Sequence, residues 1–550
     1  MRKITTRLTL LLCLMAFLNP AISDTLIKNI KGYSFHESQP VSFSAILIEQ
    51  DKIIAVYQTL PDDLNAEKVI DGKGAVLVPG MIDAHGHVLG YGQALSRVVL
   101  NGAASKDQAL ARVAEFIEQH PDDTWIKGRG WNQELWPGRN FPDAKALSQV
   151  SKGKLVALGR IDGHALWVNQ EVLDKAGINK DTVSPEGGEI VKDSAGNPTG
   201  ILVDNAMNLV YQLIPSPTLE DVKNTLLVSL NKLASLGLTS VHDAGVDYIT
   251  WQAYQALSTE QRLPIRVYVM LDVTDPNYPE MLAKGTIRSA DDKLFIRSVK
   301  ISSDGALGSR GAALHEEYSD KAGHYGLLLH EIPKLNELTL QAMEAGFQVN
   351  THAIGDKANT VSLDAFAKAI QKTQSTGLRH RIEHAQVIQA EDFERFKQLG
   401  VIASVQPTHA TSDKNMAENR LGSERIKGAY AWQRLMASGA LLAGGSDFPI
   451  EPAEPLFGIH AAVTRQDRQN QPDGGWYPNE AVSLNTAFKM FTLGAAFASH
   501  QEALIGSVEA GKKADFVLLA QDPLEITPSQ LWQIPVLQTW VNGELVWQAE

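Results

Sequence analysis

Cysteine is almost missing from this 550-residue chain: Cys13 is the single copy, inside an apolar stretch near the N-terminus. Beyond it the chain has no disulfide, no thiolate metal ligand and no cysteine nucleophile. Any metal must therefore be held by histidine, carboxylate or something less usual. Cys13 follows Leu11-Leu12 too early to mark a lipid attachment point. The apolar stretch Leu8 to Leu18 is too short to span a bilayer comfortably. The net charge of −13 comes without a long acidic run. It reads as a solvated surface, and nucleic acid is not an expected partner. No repeats or low-complexity segments stand out.

The remaining composition, 44% hydrophobic and 21% charged, is that of a globular protein with a sizeable core. Arg2, Lys3 and Arg7 precede the apolar stretch, and Asn19-Pro20 and the small-residue site Ala21-Ile22-Ser23 follow it. That order predicts a secretory signal over residues 1–23, cleaved near Ser23, and export to a bacterial periplasm; an uncleaved anchor is the alternative. No stable membrane span is expected after cleavage.

"AILIEQDKIIAV" (Ala45 to Val56) and "AEKVIDGKGAVLV" (Ala66 to Val78) read as small antiparallel strands around Asp-Lys and Asp-Gly turns. "ADFVLLA" (Ala514 to Ala520) and "LQTWVNGELVWQ" (Leu537 to Gln548), turning at Asn542-Gly543, repeat the style at the other end. Segments 24–79 and 500–550 are expected to form one composite β-sandwich, with two unrelated hairpins as the alternative. Between them buried apolar strands alternate with helical stretches: "GMIDA" from Gly80, "LTSVHD" from Leu238, "IRVYVML" from Ile265, "LFIRSVKI" from Leu294, "GFQVN" from Gly346, "RHRIEH" from Arg379, "VIASVQ" from Val401 and "ALLAGGS" from Ala440. Eight such strands predict an α/β fold, a (β/α)8 TIM-like barrel over residues 80–499. The long gap after the first strand predicts an inserted cap over about residues 91–217.

The active face of such a barrel lies at the C-terminal strand ends. The first run ends in His85 and His87, the fourth in Lys300, the fifth in His352, the sixth in His384 and the eighth in Asp447. Alternate residues of a strand share a face, so His85 and His87 can reach one ion. Imidazole and carboxylate donors together suit zinc and its neighbours, which makes this the expected metal-ligand set. Asp83 is expected to fix the orientation of one of these histidines. His242 reads as a ligand, a substrate contact or a core histidine. His36, His120, His315, His324, His330, His380, His409, His460 and His500 read as surface or packed histidines.

"VLVPGMIDAHGH", "KISSDGALGSR", "NTHAIGD", "RIEHAQ", "GGSDFP" and "GKKADFVLL" resemble motifs of the amidohydrolase superfamily across nearly the whole chain. "RIDGHALWVN" and "KISSDGALGSR" resemble the branch that includes N-substituted formamide deformylases and exported hydrolases. The resemblance implies a barrel, a composite sandwich and one or two divalent metals. It implies that His85 and His87 hold the more buried ion and His352 and His384 a second, with Asp447 contacting metal and water. Lys300 then stands where a carboxylated lysine bridges two ions. A neutral lysine can become an anionic carbamate; a pair with Asp304 or Asp447 is the other reading.

The expected reaction is metal-assisted hydrolysis of a non-peptide, amide-like C–N bond of a small molecule. Asp447 acts as general base and then acid. Arg160, Asp162, His164, Ser309 and Arg310 are candidate substrate contacts, or else turn and ion-pair residues. Trp131, Trp136 and Trp167 suggest an aromatic substrate lining, or else cap packing. Hydrolysis of esters, lactones, cyclic imides or dipeptides, isomerisation and a non-catalytic binding barrel stay open, as does a homodimer.

Overall fold

The computed structural model describes residues 24–62 and 64–550, so the expected secretory signal lies outside the described residues. Eight parallel strands follow in chain order: β1 (Met81–Gly86), β2 (Leu238–Val246), β3 (Arg266–Asp272), β4 (Leu294–Ser302), β5 (Gln348–Ala353), β6 (Arg381–His384), β7 (Ile402–Val405) and β8 (Leu442–Gly444). Each pairs with its neighbour in sequence, and a parallel bridge from Gly86 to Phe448 brings the β8 end back to β1. All eight apolar runs read from the sequence are strands of this TIM-like barrel. They are continuous runs because a strand covered on both faces needs apolar or internally paired side chains throughout; β1 and β6 are buried at every position.

Helices pack outside. Leu219–Ser235 starts at a capping box in which Thr218 and Asp221 satisfy each other's backbone N–H groups, and it buries Val222, Leu226, Leu230 and Leu233 along one stripe.

A six-stranded sheet joins the two chain ends: Phe516–Leu519 pairs antiparallel with Val76–Pro79, which pairs parallel with Lys31–Ser34. A four-stranded sheet built from N-terminal segments packs on it through Ile27, Ile46, Ile48, Leu77, Phe516 and Trp540. One sequence expectation is corrected here. Lys68–Asp71 and Val76–Pro79 do not form a hairpin: the first pairs parallel with Asp24–Lys28 in the four-stranded sheet, the second enters the six-stranded one. The Gly72-Lys73-Gly74 turn carries the chain between sheets, with Lys73 and Gly74 at positive φ. Buried Arg266 on β3 clamps Asp515 bidentately, at 2.7 and 2.9 Å, and ties sandwich to barrel.

Between β1 and β2, a separate six-stranded sheet runs from Val98–Val99 to Pro198–Asp204, with helices Lys106–Gln119, Ala144–Val150 and Gln170–Ala176 beside it. It has its own apolar clusters, one centred on Trp131, Trp136 and Trp167.

At the barrel base, His380 stacks on Phe366 and its Nδ1 accepts from the Val349 N–H at 3.1 Å. Burial, with a smaller push from His500, holds its pKa down to about 3 from 6.5. The unfolded chain therefore binds the extra proton between those values, and His380 costs stability as pH falls through 6.5 toward 3. In His380→Phe the decline of unfolding free energy below pH 6.5 should flatten by up to about 1.4 kcal/mol per pH unit. Denaturant titrations at several pH values measure this, and an unchanged slope would remove His380 from the pH response.

Candidate metal centre

His85 and His87 close β1, and the glycine between them is a steric requirement: a Cβ on Gly86 would lie 2.2 Å from the Phe448 ring. His85 is fully buried, while the His87 side chain is 39% exposed. His87 Nδ1 lies 2.8 Å from the Ala244 carbonyl, which it can only meet as a donor, so its Nε2 is the nitrogen turned toward the other side chains of the site. That Nε2 faces Asp447 Oδ1 at 3.0 Å, and His85 Nε2 faces the same oxygen at 3.5 Å. Asp447 adopts a left-handed backbone, φ +64°, held by its N–H donating to the His85 carbonyl at 2.7 Å.

Asp83 has a different task from the one expected. Its carboxylate accepts from the His85 backbone N–H at 3.0 Å and from the Ser446 N–H and hydroxyl, the latter at 2.6 Å. It staples the β1 end to the turn that carries Asp447 and touches no imidazole ring. Burial raises its pKa to about 7 against the pull of those hydrogen bonds.

The ring of His85 is oriented by Glu383, which the sequence reading missed. His85 Nδ1 and Glu383 Oε2 are 2.5 Å apart, and Arg381 on the same strand holds Glu383 through its Nε at 2.7 Å. All three side chains are buried. Burial would neutralise Glu383, but Arg381 and His85 outweigh it and keep the carboxyl well below the usual range. Arg381 also reaches the Ala84 carbonyl, Ser404 Oγ and His242 Nδ1, which gives His242 its role as a core histidine against that guanidinium. The readable signal was Arg-x-Glu on one face of a wholly buried strand, since two such charges must meet partners inside.

The β5–β6 register sets His352 beside Glu383 and Ala353 beside His384. His384 Nδ1 is fixed at 2.8 Å by Gln406 Oε1, which leaves Nε2 available. The His384 ring lies 4.9 Å from that of His85 and 4.5 Å from that of His352, centroid to centroid. His409, assigned from sequence to the ordinary histidines, also comes here: its Nε2 is 3.6 Å from Asp447 Oδ2. It sits past the end of β7, on the helix Pro407–Asp413, so a search confined to strand ends passes over it.

Lys300 Nζ lies 3.3 Å from His85 Nε2, and burial lowers its pKa. Among the described residues it pairs with neither Asp304 nor Asp447. Asp304 instead accepts from the backbone N–H groups of Ala313, Ile354 and Gly355.

The chemistry of these donors fits a divalent cation. Burial, followed by Lys300, lowers His85 to about 4, and burial and neighbouring imidazoles hold His384 far below its ordinary value, so both are neutral ligands. Burial pushes Asp447 up, yet His87, His85 and His409 overcome it and keep the carboxylate ionised. Asp447 Oδ1 and the Nε2 atoms of His352 and His409 are buried without a hydrogen-bond partner. An ion held among them would give these atoms partners.

The expected substrate contacts lie elsewhere. Trp131 is wholly buried in the cap, its Nε1 donating to the Leu158 carbonyl at 2.7 Å, so packing replaces the proposed lining. Arg160 pairs with Asp162 and with Gln133, and the Asp162 carboxylate caps the His164 N–H. His164 pairs with Asp204 at 2.8 Å, its side chain 75% exposed. Arg310 is bound bidentately to Asp320, and Ser309 Oγ donates to the Ala306 carbonyl. None of these six makes a hydrogen bond, ion pair or ring contact with the histidine cluster.

The barrel and its polar rim define a metal-dependent hydrolase. Residues 68–547 match the model of the Amidohydrolase family, and the chain belongs to that family. It is 34% identical over 480 residues to YtcJ of Bacillus subtilis (strain 168), covering 86% of this chain and 89% of that protein. It is 27% identical over 495 residues to the N-substituted formamide deformylase of Arthrobacter pascens, covering 87% and 89%. Among solved structures, an uncharacterised metal-dependent hydrolase from Pyrococcus furiosus superposes with a TM-score of 0.73 at 29% identity, covering 91% of this chain and all (100%) of that one.

Glu383→Gln removes the charge that aims His85 and should weaken divalent-metal binding by about 10- to 100-fold. Equilibrium dialysis against zinc reads the effect, with circular dichroism as the control for folding. Unchanged affinity would show that packing alone orients the ring.

Proposed function

We propose that this protein is an exported hydrolase that cleaves a non-peptide, amide-like C–N bond, of the N-formyl or N-acyl amine kind, in a small molecule. The observation that carries the reading is Asp447: an ionised, buried carboxylate whose Oδ1 is faced by the Nε2 atoms of both His85 and His87. Similarity to a relative named N-substituted formamide deformylase supports the bond class.

His85, His87 and Asp447 would hold the metal, with zinc the expected ion. When bound, such a cation polarises a carbonyl and lowers the pKa of water from about 15.7 toward 7. Asp447 takes the proton of the attacking water and returns it to the leaving nitrogen, which departs as a neutral amine. Glu383 and the Ala244 carbonyl hold the two β1 rings by their Nδ1 edges, so both Nε2 atoms face Asp447 Oδ1. Export rests on the order of Arg2, Lys3 and Arg7, the apolar stretch and Ala21-Ile22-Ser23. N-terminal sequencing of secreted material should begin near Asp24.

Zinc-loaded protein assayed on N-formyl amines, N-acyl amines, esters, lactones, cyclic imides and dipeptides should turn over the first two classes fastest. Turnover confined to the other classes would overturn the proposed bond class. Asp447→Asn should lower kcat by about 100-fold or more. Near-wild-type turnover in that variant would remove Asp447 from proton transfer.

A further inference from the structure

The mouth of the barrel holds a carboxylate that the metal centre does not use. Asp413 ends the helix Pro407–Asp413, one turn beyond His409. Residues four apart on a helix share a face, with about 5–6 Å between their Cβ atoms. His409 Nε2 meets Asp447 Oδ2, so Asp413 stands beside the metal centre on the same side of the helix. Thr408, Thr411 and Ser412 line a separate groove, shared with Glu451 and Phe457. The turn after the helix brings Met416 against Gly308, in the loop that follows β4. Asp413 is therefore part of the wall that runs from the imidazoles to that loop.

The two oxygens of Asp413 have different surroundings. Oδ2 accepts from the Tyr430 hydroxyl at 2.6 Å and from the Gln386 amide at 3.4 Å, and both donor side chains are buried. Gln386 follows His384 by two residues, so the strand end that presents an imidazole also anchors this carboxylate. Oδ1 accepts no hydrogen bond among the described residues, and the side chain is half-buried. Asp413 also has no counter-ion among them: the adjacent Lys414 reaches Asp467 at 2.6 Å, and Arg420 is engaged by Asp320 and the Gly308 carbonyl. A carboxylate pinned through one oxygen, with the other open and no cation beside it, suits a donor that carries positive charge.

We infer that Asp413 selects the substrate, its Oδ1 binding an ammonium group on the part of the amide remote from the metal. This names the substrate class of the site and rests on the amide-hydrolase reading above. The ammonium makes a charge-assisted hydrogen bond to Oδ1 and serves as the counter-ion that the protein does not supply.

The test uses paired probes on zinc-loaded protein: N-formyl diamines with a free terminal ammonium and spacers from three to six methylenes, and N-formyl alkylamines of the same length ending in methyl. Binding is read by calorimetry and turnover by formate release. Asp413→Asn is the informative variant, because its amide oxygen can still accept from Tyr430 and Gln386 while its NH2 puts a donor in place of Oδ1. The wild type should bind the best ammonium probe about 10- to 100-fold more tightly than its methyl partner, with the difference carried mainly by KM, and Asp413→Asn should erase the preference. Circular dichroism checks folding, and Asp413→Ser serves if the asparagine variant fails to fold. Equal affinity for the two series in the wild type, or no binding of either, overturns the inference without any variant. A preference that survives in a folded variant overturns it too. A preference lost in the variant, with neither series turned over, upholds the inference and removes only the N-formyl bond class.

Discussion

The metal centre depends on how the barrel accommodates one buried positive charge. Arg381 is enclosed among strands, where an unpaired guanidinium would cost several kcal/mol. It is compensated by Glu383, the Ala84 carbonyl, Ser404 and His242, which come from β6, β1, β7 and β2. The Glu383 Oε2 that accepts from Arg381 also meets His85 Nδ1. The imidazole is thereby left with its other nitrogen facing the mouth of the barrel. Ligand orientation and charge compensation are thus one network, and neither can change without the other.

The rim above that network is held in backbone shapes that ordinary residues rarely adopt. His384 and Asp447 both have positive φ, at +74° and +64°, a conformation costing about 1–3 kcal/mol for a residue other than glycine. The surroundings fix it. Asp83 binds the Ser446 turn, the His85 carbonyl accepts from Asp447, and the Phe448 carbonyl accepts from His87. Gly445 leaves room for this crossing, since a Cβ there would sit 2.6 Å from the His85 nitrogen.

What could be read from sequence follows from which forces are local. Every barrel strand was legible, because a doubly covered strand is apolar along its length and its rim residue interrupts that run. His85, His87, Lys300, His352, His384 and Asp447 interrupt such runs in the sequence, and the structure gathers them at one end of the barrel. Arg381 and Glu383 were passed over because they lie within a run rather than at its end, and their partners are distant in sequence. His409 escaped because a helical turn, not a strand, presents it. The sheet assignment of Lys68–Asp71 failed for a related reason: a glycine turn looks the same whether it folds a hairpin or hands the chain to another sheet. Arg310 and Trp131 were legible as residue types, but their partners, Asp320 and the cap core, are visible only in the fold.

The sheet that unites the chain ends also sets the order in which the molecule can be completed. Tyr33 donates to Asp522 across 489 positions, and Val76–Pro79, the segment leading into β1, has Lys31–Ser34 on one side but acquires its other neighbour only from Phe516–Leu519. During synthesis the first-made sheet edge waits, unpaired, until nearly the whole polypeptide has emerged. Loop closure over such a span is slow and must be met before the contacts it permits can stabilise anything. The last strands made therefore act as the fastening of the fold, and a chain stopped short of them has an open β edge where the finished protein has none.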